Sequence, residues 1–453
     1  MLHDTCPQGQ LENAWQPPES RSRLAQGRYP WSAFWAIIAT PSSSIRMPAI
    51  KPERVLSDLR ALAAFGAYKT GVHRPTLSAP DIAAREWFAG RLREAGLDAE
   101  IDGIANILGK SRAGGRKVLS GSHLESQNHA GWLDGALGCV YALEAARAIS
   151  ENPATRHVGV DVVVFCDEEG HFGSFLGSRS FIGALEESEI DCASDRATGT
   201  SLRAALAAAG WADRPRHVID PSRYAAFLEA HIEQGDTLES AHLKIGVVTA
   251  IVAIWQYRIT VEGEQNHAGT TSMARRRDAG LELVRFLGAI DRRFPEICGP
   301  RSVWTTGRID LSPGEKSIIP GAAEALFQLR DADHLILDRL DSELHNLART
   351  ANERGRCKLT IERLSASMPA LMDEALQAAL DRAAERHAPG KHTRMPSGAG
   401  HDAQWLARKL PAAMLFVPSI GGISHHWSEN TSDEDIVLGA QVFADAIGAI
   451  LQA

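Results

Sequence analysis

The chain has 453 residues, of which 44% are hydrophobic and 23% charged, with a formal net charge of −8. That length favours two domains over one, and the acidic balance argues against a nucleic-acid partner. The apolar runs fall far short of a membrane span, and six cysteines without C-x-x-C spacing suggest reduced thiols in a cytoplasmic protein rather than a disulfide framework or zinc knuckle.

Residues 1–46 mix Pro, Ser, Gln and Arg around one short apolar patch at 31–39. They read as a disordered extension, with Met47 as a candidate start. Order is expected from Lys51. Residues 51–67 and 81–95 have helical spacing, and the second run opens on Ser78-Ala79-Pro80-Asp81, a capping-box pattern, and stops at Gly96. Residues 118–120 predict a strand leading to Gly121-Ser122-His123, residues 135–150 a helix, and residues 158–166 a strand buried on both faces. This alternation implies βαβ units and a largely parallel sheet.

The pattern changes near residue 246. Residues 246–262 predict a long strand, 273–294 a helix, 303–310 and 323–330 strands, 335–354 a helix and 358–364 a strand. That β-α-β-β-α-β order is ferredoxin-like. Helix–strand alternation resumes over 371–386, followed by a strand at 412–417 and a final helix at 433–451. The fold expected is α/β: a discontinuous domain, residues 47–245 and 366–453, with a largely parallel central sheet, interrupted at 246–365 by a smaller ferredoxin-like α+β domain.

The predicted strand 158–166 runs into Asp167-Glu168-Glu169-Gly170. Three adjacent carboxylates at the end of a parallel strand are either a solvated acidic turn or part of a cation site, because like charges repel unless something positive sits among them. Three other stretches have the composition of metal-ligand loops. Residues 121–135 offer His123 and Asp134, residues 228–235 offer His231, Glu233 and Gln234, and residues 423–429 offer His425, His426 and Glu429. A lone histidine is usually a satisfied surface or core residue. Several at turns, each flanked by Gly or Ser and by acidic residues, point to a shared ion. Imidazole and carboxylate donors suit Zn, Mn, Co or Ni, and the absence of Cys speaks against a structural zinc site.

With these motifs in the order 121–138, 167–183, 229–239, 267–279, 307–330, 397–403 and 416–435, the chain resembles the hydantoinase/carbamoylase family of amidases, within the aminoacylase/carboxypeptidase-type dinuclear metallohydrolases. The resemblance covers nearly everything from residue 51 onward. It implies two divalent metal ions per subunit, with Asp134 bridging them, His123 and His231 completing one ion's ligands, and Glu169 and His425 the other's. It implies that Glu168 is the general base for a water acidified between the ions. Gln234, His267, Ser317 and Arg330 match substrate-binding positions, with His267 polarising the scissile carbonyl and Arg330 clamping a carboxylate. The inserted domain would act as a lid and mediate a homodimer.

The activity implied is cleavage of the linear amide or ureido C–N bond of an N-carbamoyl-L-amino acid, a small carboxylate-bearing substrate. Hydrolysis of allantoate, ureidoglycolate, β-ureidopropionate or an N-acyl-amino acid would use the same site. A non-catalytic binding protein on this fold would be expected to lack Glu168 or a ligand, and all are present. The chain departs from the family pattern at Glu125, where an Asp is usual, at Ser317, where an Asn is usual, and at Gln328, which replaces an Asp near Arg330. Glu125 is expected to orient His123 through its longer carboxylate. Gln328 is expected to free the geometry of Arg330, and Ser317 to alter substrate preference. Asp167 is expected either to support a ligand from behind or to be structural; His401, Asp402 and His426 are left unassigned, and His129 and His171 are not expected to coordinate metal.

Overall fold

The computed structural model describes residues 48–452, so the extension expected over residues 1–46 lies outside the described residues. Two compact units emerge, a larger one running to Thr249 and resuming at Leu371, and a smaller one spanning Ala250–Ala370.

In the larger unit the centre of the main sheet is four parallel strands, in the order Ala412–Val417, Tyr224–Ile232, Lys117–His123 and Val160–Phe165. Antiparallel strands flank them: Ile245–Ile251 on one side, Ile107–Lys110 and then Asp98–Ile101 on the other. All six residues of Val160–Phe165 are buried, as a strand covered on both faces requires. Its one charge, Asp161, tolerates burial because Arg223 donates to it at 2.6 Å, the Tyr224 hydroxyl at 3.1 Å and the Ser111 N–H at 2.8 Å.

The helix Ala136–Glu151 is apolar nearly all round and buried nearly throughout. It lies on the central strands beneath the helices Pro52–Ala63 and Asp433–Gln452, which explains the missing polar stripe. Its two buried charges are paired, Glu144 with Arg54 at 2.6 Å and Arg147 with Asp58 at 2.6 Å. Because the four central strands are parallel, their C-terminal ends share one edge of the sheet. His123 ends one strand, His231 is next to last in another, Asp167–Glu169 follow the third, and Ser419 follows the fourth.

Three local expectations are corrected. Ser78 makes no side-chain cap at the helix Ala79–Glu94; the Asp81 carboxylate instead takes the Leu77 N–H at 2.8 Å and pairs with Arg85. Residues 228–232, read from composition as part of a ligand loop, close the strand Tyr224–Ile232. The single long strand expected over 246–262 is two, Ile245–Ile251 and Ala253–Glu262, broken at Val252 and belonging to different sheets.

The smaller unit runs strand Ala253–Glu262, helix Ala279–Arg293, strands Val303–Ser312 and Ala322–Asp331, helix His334–Arg354 and strand Lys358–Ala366. The sheet is antiparallel, in the order Val303–Ser312, Ala322–Asp331, Ala253–Glu262, Lys358–Ala366. With both helices packed on it, this is the ferredoxin-like arrangement. Trp255, Tyr257, Ile259 and Val261 alternate inward on the central strand and share a core with Leu283, Phe286, Leu340 and Leu344. The helix expected from Met273 starts only at Ala279, where the Asp278 side chain caps it by accepting the Leu281 N–H at 3.0 Å. Among the described residues no helix is long and apolar enough to cross a membrane, and Cys139, Cys166, Cys298 and Cys357 are free thiols.

Candidate active site

Asp134 stands where the loop after the strand Lys117–His123 meets the helix Ala136–Glu151. Its Oδ1 is 3.0 Å from His231 Nε2 and 3.6 Å from His123 Nε2, and its Oδ2 is 3.3 Å from His425 Nε2. Two groups therefore share this carboxylate, His123-Asp134-His231 and Asp134-Glu169-His425, and within each the donor atoms lie within 4.8 Å of one another. The first group is wholly buried. In the second, the His425 side chain is 53% exposed.

The rings are aimed by main-chain carbonyls. His123 Nδ1 lies 3.0 Å from the carbonyl oxygen of Glu125, and His231 Nδ1 lies 3.0 Å from that of Ile232. A carbonyl only accepts, so Nδ1 carries hydrogen and Nε2 faces Asp134. This corrects the expectation for Glu125. Its carboxylate is 4.0 Å from His123 Nδ1, pairs with Arg85, and accepts the Glu168 N–H at 2.7 Å. The backbone of Glu125, not its side chain, orients His123.

Glu169 is held by Gln127, whose backbone N–H and side-chain amide both donate to its carboxylate at 3.0 Å. Glu168 Oε2 lies 3.7 Å from His123 Nε2, beside the buried group but a member of neither. Glu429 Oε1 takes the Asp134 N–H at 3.1 Å and so anchors the main chain of that residue. Gln234 Nε2 donates to Asp134 Oδ2 at 3.0 Å and lies 3.4 Å from His425 Nε2, while its Oε1 is buried without a hydrogen-bond partner. Asp167, Gln234 and His425 all adopt positive φ, at 60°, 58° and 53°, a strained conformation for non-glycine residues that concentrates at functional sites.

Other polar residues singled out in the sequence fall outside both groups. Asp167 accepts the Thr76 hydroxyl at 2.8 Å and the N–H groups of His171 and Gly173 at 2.8 and 2.7 Å, tying down its own loop. Glu233 caps a turn through the N–H groups of Thr237 and Leu238, both at 2.8 Å. His401 packs edge-on against His231, with ring centroids 4.6 Å apart, and its Nε2 lies 2.9 Å from Ser397 Oγ. Asp402 is buried. His426 bonds Ser428, His129 stacks on His73, and His171 meets Thr76.

The electrostatics suit bound cations. Burial, and then the charge of Asp134, push Glu169 up to about 8, and burial followed by the neighbouring Glu169 push Glu168 well above the usual carboxylate range. Asp134 is held well below that range: burial opposes this, but hydrogen bonds from His231 and His425 prevail. In return His231 rises to about 9 against its burial, and His425 rises to about 9 chiefly through its hydrogen bond to Asp134. A shared carboxylate, two further imidazoles on one side, and an imidazole and a carboxylate on the other form an N/O donor set that fits two divalent ions.

In the smaller unit, His267 lies in the short strand Asn266–His267, paired with Ile318–Ile319, and the Ala268 N–H donates to the Ser317 carbonyl at 3.0 Å. The fold therefore brings His267 and Ser317 together. His267 Nδ1 accepts the N–H groups of Gly269 and Thr270 at 3.0 and 3.2 Å, which puts its hydrogen on Nε2 as an available donor. Arg330 is half-buried on the strand Ala322–Asp331, and its guanidinium donates to Gln328 Oε1 at 3.4 Å. Gln328 still engages the arginine rather than releasing it. Gln127 and Arg85 were missed by sequence reasoning. Gln127 sits within the first ligand loop, which was the available signal; a buried arginine in a helix gives none.

The model of the peptidase family M20/M25/M40 matches residues 120–449. The N-carbamoyl-L-amino acid amidohydrolase of Geobacillus stearothermophilus is 33% identical over 412 residues, covering 89% of this chain and 99% of its own. The allantoate amidohydrolase of Escherichia coli (strain K12) is 32% identical, covering 84% of this chain and 94% of its own. A crystal structure of an amidase (hydantoinase/carbamoylase family) from Burkholderia phymatum matches with a TM-score of 0.85 at 46% identity, over 90% of this chain and 99% of that one.

Proposed function

The chain belongs to the peptidase family M20/M25/M40 and is a hydrolase of linear amide C–N bonds, and we propose that it cleaves an N-carbamoyl-L-amino acid at a two-ion centre built on Asp134. The observation that carries this reading is the shared carboxylate, with Oδ1 turned to His231 and His123 and Oδ2 to His425. His123, His231 and Asp134 would hold one ion, and Asp134, Glu169 and His425 the other. Bound divalent ions supply Lewis-acid polarisation and lower the pKa of water towards about 7.

The chain's own groups do the remaining work. Glu168, next to a ligand but outside both groups, takes the proton of the attacking water and delivers it to the leaving nitrogen. His267 donates its Nε2 hydrogen to the carbonyl oxygen as negative charge grows there. Arg330 clamps the substrate carboxylate. The unpartnered Gln234 Oε1 accepts an N–H of the carbamoyl group, and Ser317 contributes a smaller contact than the usual Asn. The reading includes a homodimer through the smaller unit, supported by the exposed Val303, Ile309 and Leu311 on its edge strand; light scattering tests that part.

Sequence identity to the allantoate amidohydrolase of Escherichia coli (strain K12) favours allantoate as a second reading. The test is a panel run on protein loaded separately with Zn, Mn, Co or Ni. Ammonia release is followed with N-carbamoyl-L-amino acids, allantoate, ureidoglycolate and β-ureidopropionate, and amino acid release with N-acyl-L-amino acids. Fastest turnover of a carbamoyl-L-α-amino acid is expected. Brisk acyl hydrolysis with no carbamoyl turnover overturns the substrate reading, and preference for allantoate selects the second.

A further inference from the structure

Glu125 and Arg85 form a buried ion pair, and contacts from each of them reach the end of the strand that carries Glu168. Both side chains are fully buried. Glu125 uses one carboxylate oxygen for Arg85 and the other for the Glu168 N–H, at 2.7 Å. Arg85 donates through Nη1 to the carbonyls of Ala105 at 2.9 Å and Phe165 at 3.2 Å, and through Nε to Asp81 at 2.9 Å. Phe165 is the last residue of the strand Val160–Phe165. One guanidinium therefore holds both the strand end from which Glu168 projects and the carboxylate that holds the Glu168 backbone.

The turn between these anchors is tightly specified. Asp167 has φ +60°, and its carboxylate gathers the N–H groups of His171 and Gly173. That conformation aims the next amide, that of Glu168, back at Glu125. A buried ion pair is a poor device for stability alone, because desolvating both charges offsets most of their attraction. Such a pair makes sense where it fixes geometry.

We propose that Glu125, braced by Arg85, is a positioning residue for Glu168, setting the direction of its carboxylate for proton transfer through its main chain. This rests on the reading of Glu168 as the base. Glu125 also carries the carbonyl that orients His123, but that contact is main-chain and survives substitution of the side chain.

The test compares Glu125→Asp, Arg85→Lys and Glu168→Gln as metal-loaded full-length proteins, using the panel compound turned over fastest. Aspartate is one methylene too short to span Arg85 and the Glu168 N–H together; lysine keeps the charge but cannot hold Glu125 and the Phe165 carbonyl at once. Each is expected to lower kcat roughly 10- to 100-fold, as a small misplacement of a reacting group does, with KM and metal content unchanged. Wild-type kcat in either folded variant, or a kcat loss that tracks loss of metal, overturns the proposal. Full turnover by Glu168→Gln would instead overturn the base assignment, so the two failures are distinguishable.

Discussion

A β-carbon added to Gly135 would lie 2.4 Å from both Nδ1 and Cε1 of the His123 ring. Gly135 also has φ +65° at the start of the helix Ala136–Glu151, so steric and conformational demands coincide there. Gly135→Ala is predicted to displace His123, costing about 1–3 kcal/mol in backbone strain alone and reducing bound metal below the wild-type content. Metal analysis after gel filtration checks this; a full complement would mean that the ring has room to move.

The metal-stripped protein is predicted to lose stability as pH rises. Burial works against the charged form of both imidazoles, yet their bonds to Asp134 lift His231 and His425 from 6.5 to about 9. Between those values the folded chain holds more protons than the unfolded one, so the slope of stability against pH is negative. The contribution is complete below about 6.5, the unfolded value, and lost as pH passes about 9. Melting temperature in chelator should fall across this window, and bound divalent ions should flatten the dependence. A profile unaffected by pH in the stripped protein contradicts this assignment.

His267→Ala is predicted to leave metal content intact, since His267 belongs to neither donor group. Loss of an oxyanion donor should lower kcat by roughly 10²–10³-fold, seen in steady-state kinetics alongside metal analysis. Metal loss would mark His267 as a ligand instead.

What was legible in the chain follows from local physics. Val160–Phe165 announces itself because burial on both faces leaves a continuous apolar run, whereas the carboxylates after it fit a solvated acidic turn as well as a cation site, and only the histidine-bearing loops elsewhere tip that balance. The strands Asp98–Ile101 and Ile107–Lys110 were not identified, being four residues each and too short to show a period. Glu229 and His231 break the apolar run of their strand, so its end reads as a loop; in the fold Glu229 is satisfied by Ser122 and the Ala403 N–H. Glu125 was visible as a departure, but a sequence cannot tell whether its carboxylate or its carbonyl faces His123. Arg85 was invisible because nothing local distinguishes a buried guanidinium from a surface one.

Metal equivalents and turnover measured together on Glu168→Gln probe the two-ion centre and its base most directly. The prediction is a folded protein with the wild-type metal content and kcat lowered by roughly 10²–10⁴-fold, the contribution of a positioned general base. Turnover near wild type, or loss of the metal with the carboxylate, would contradict it.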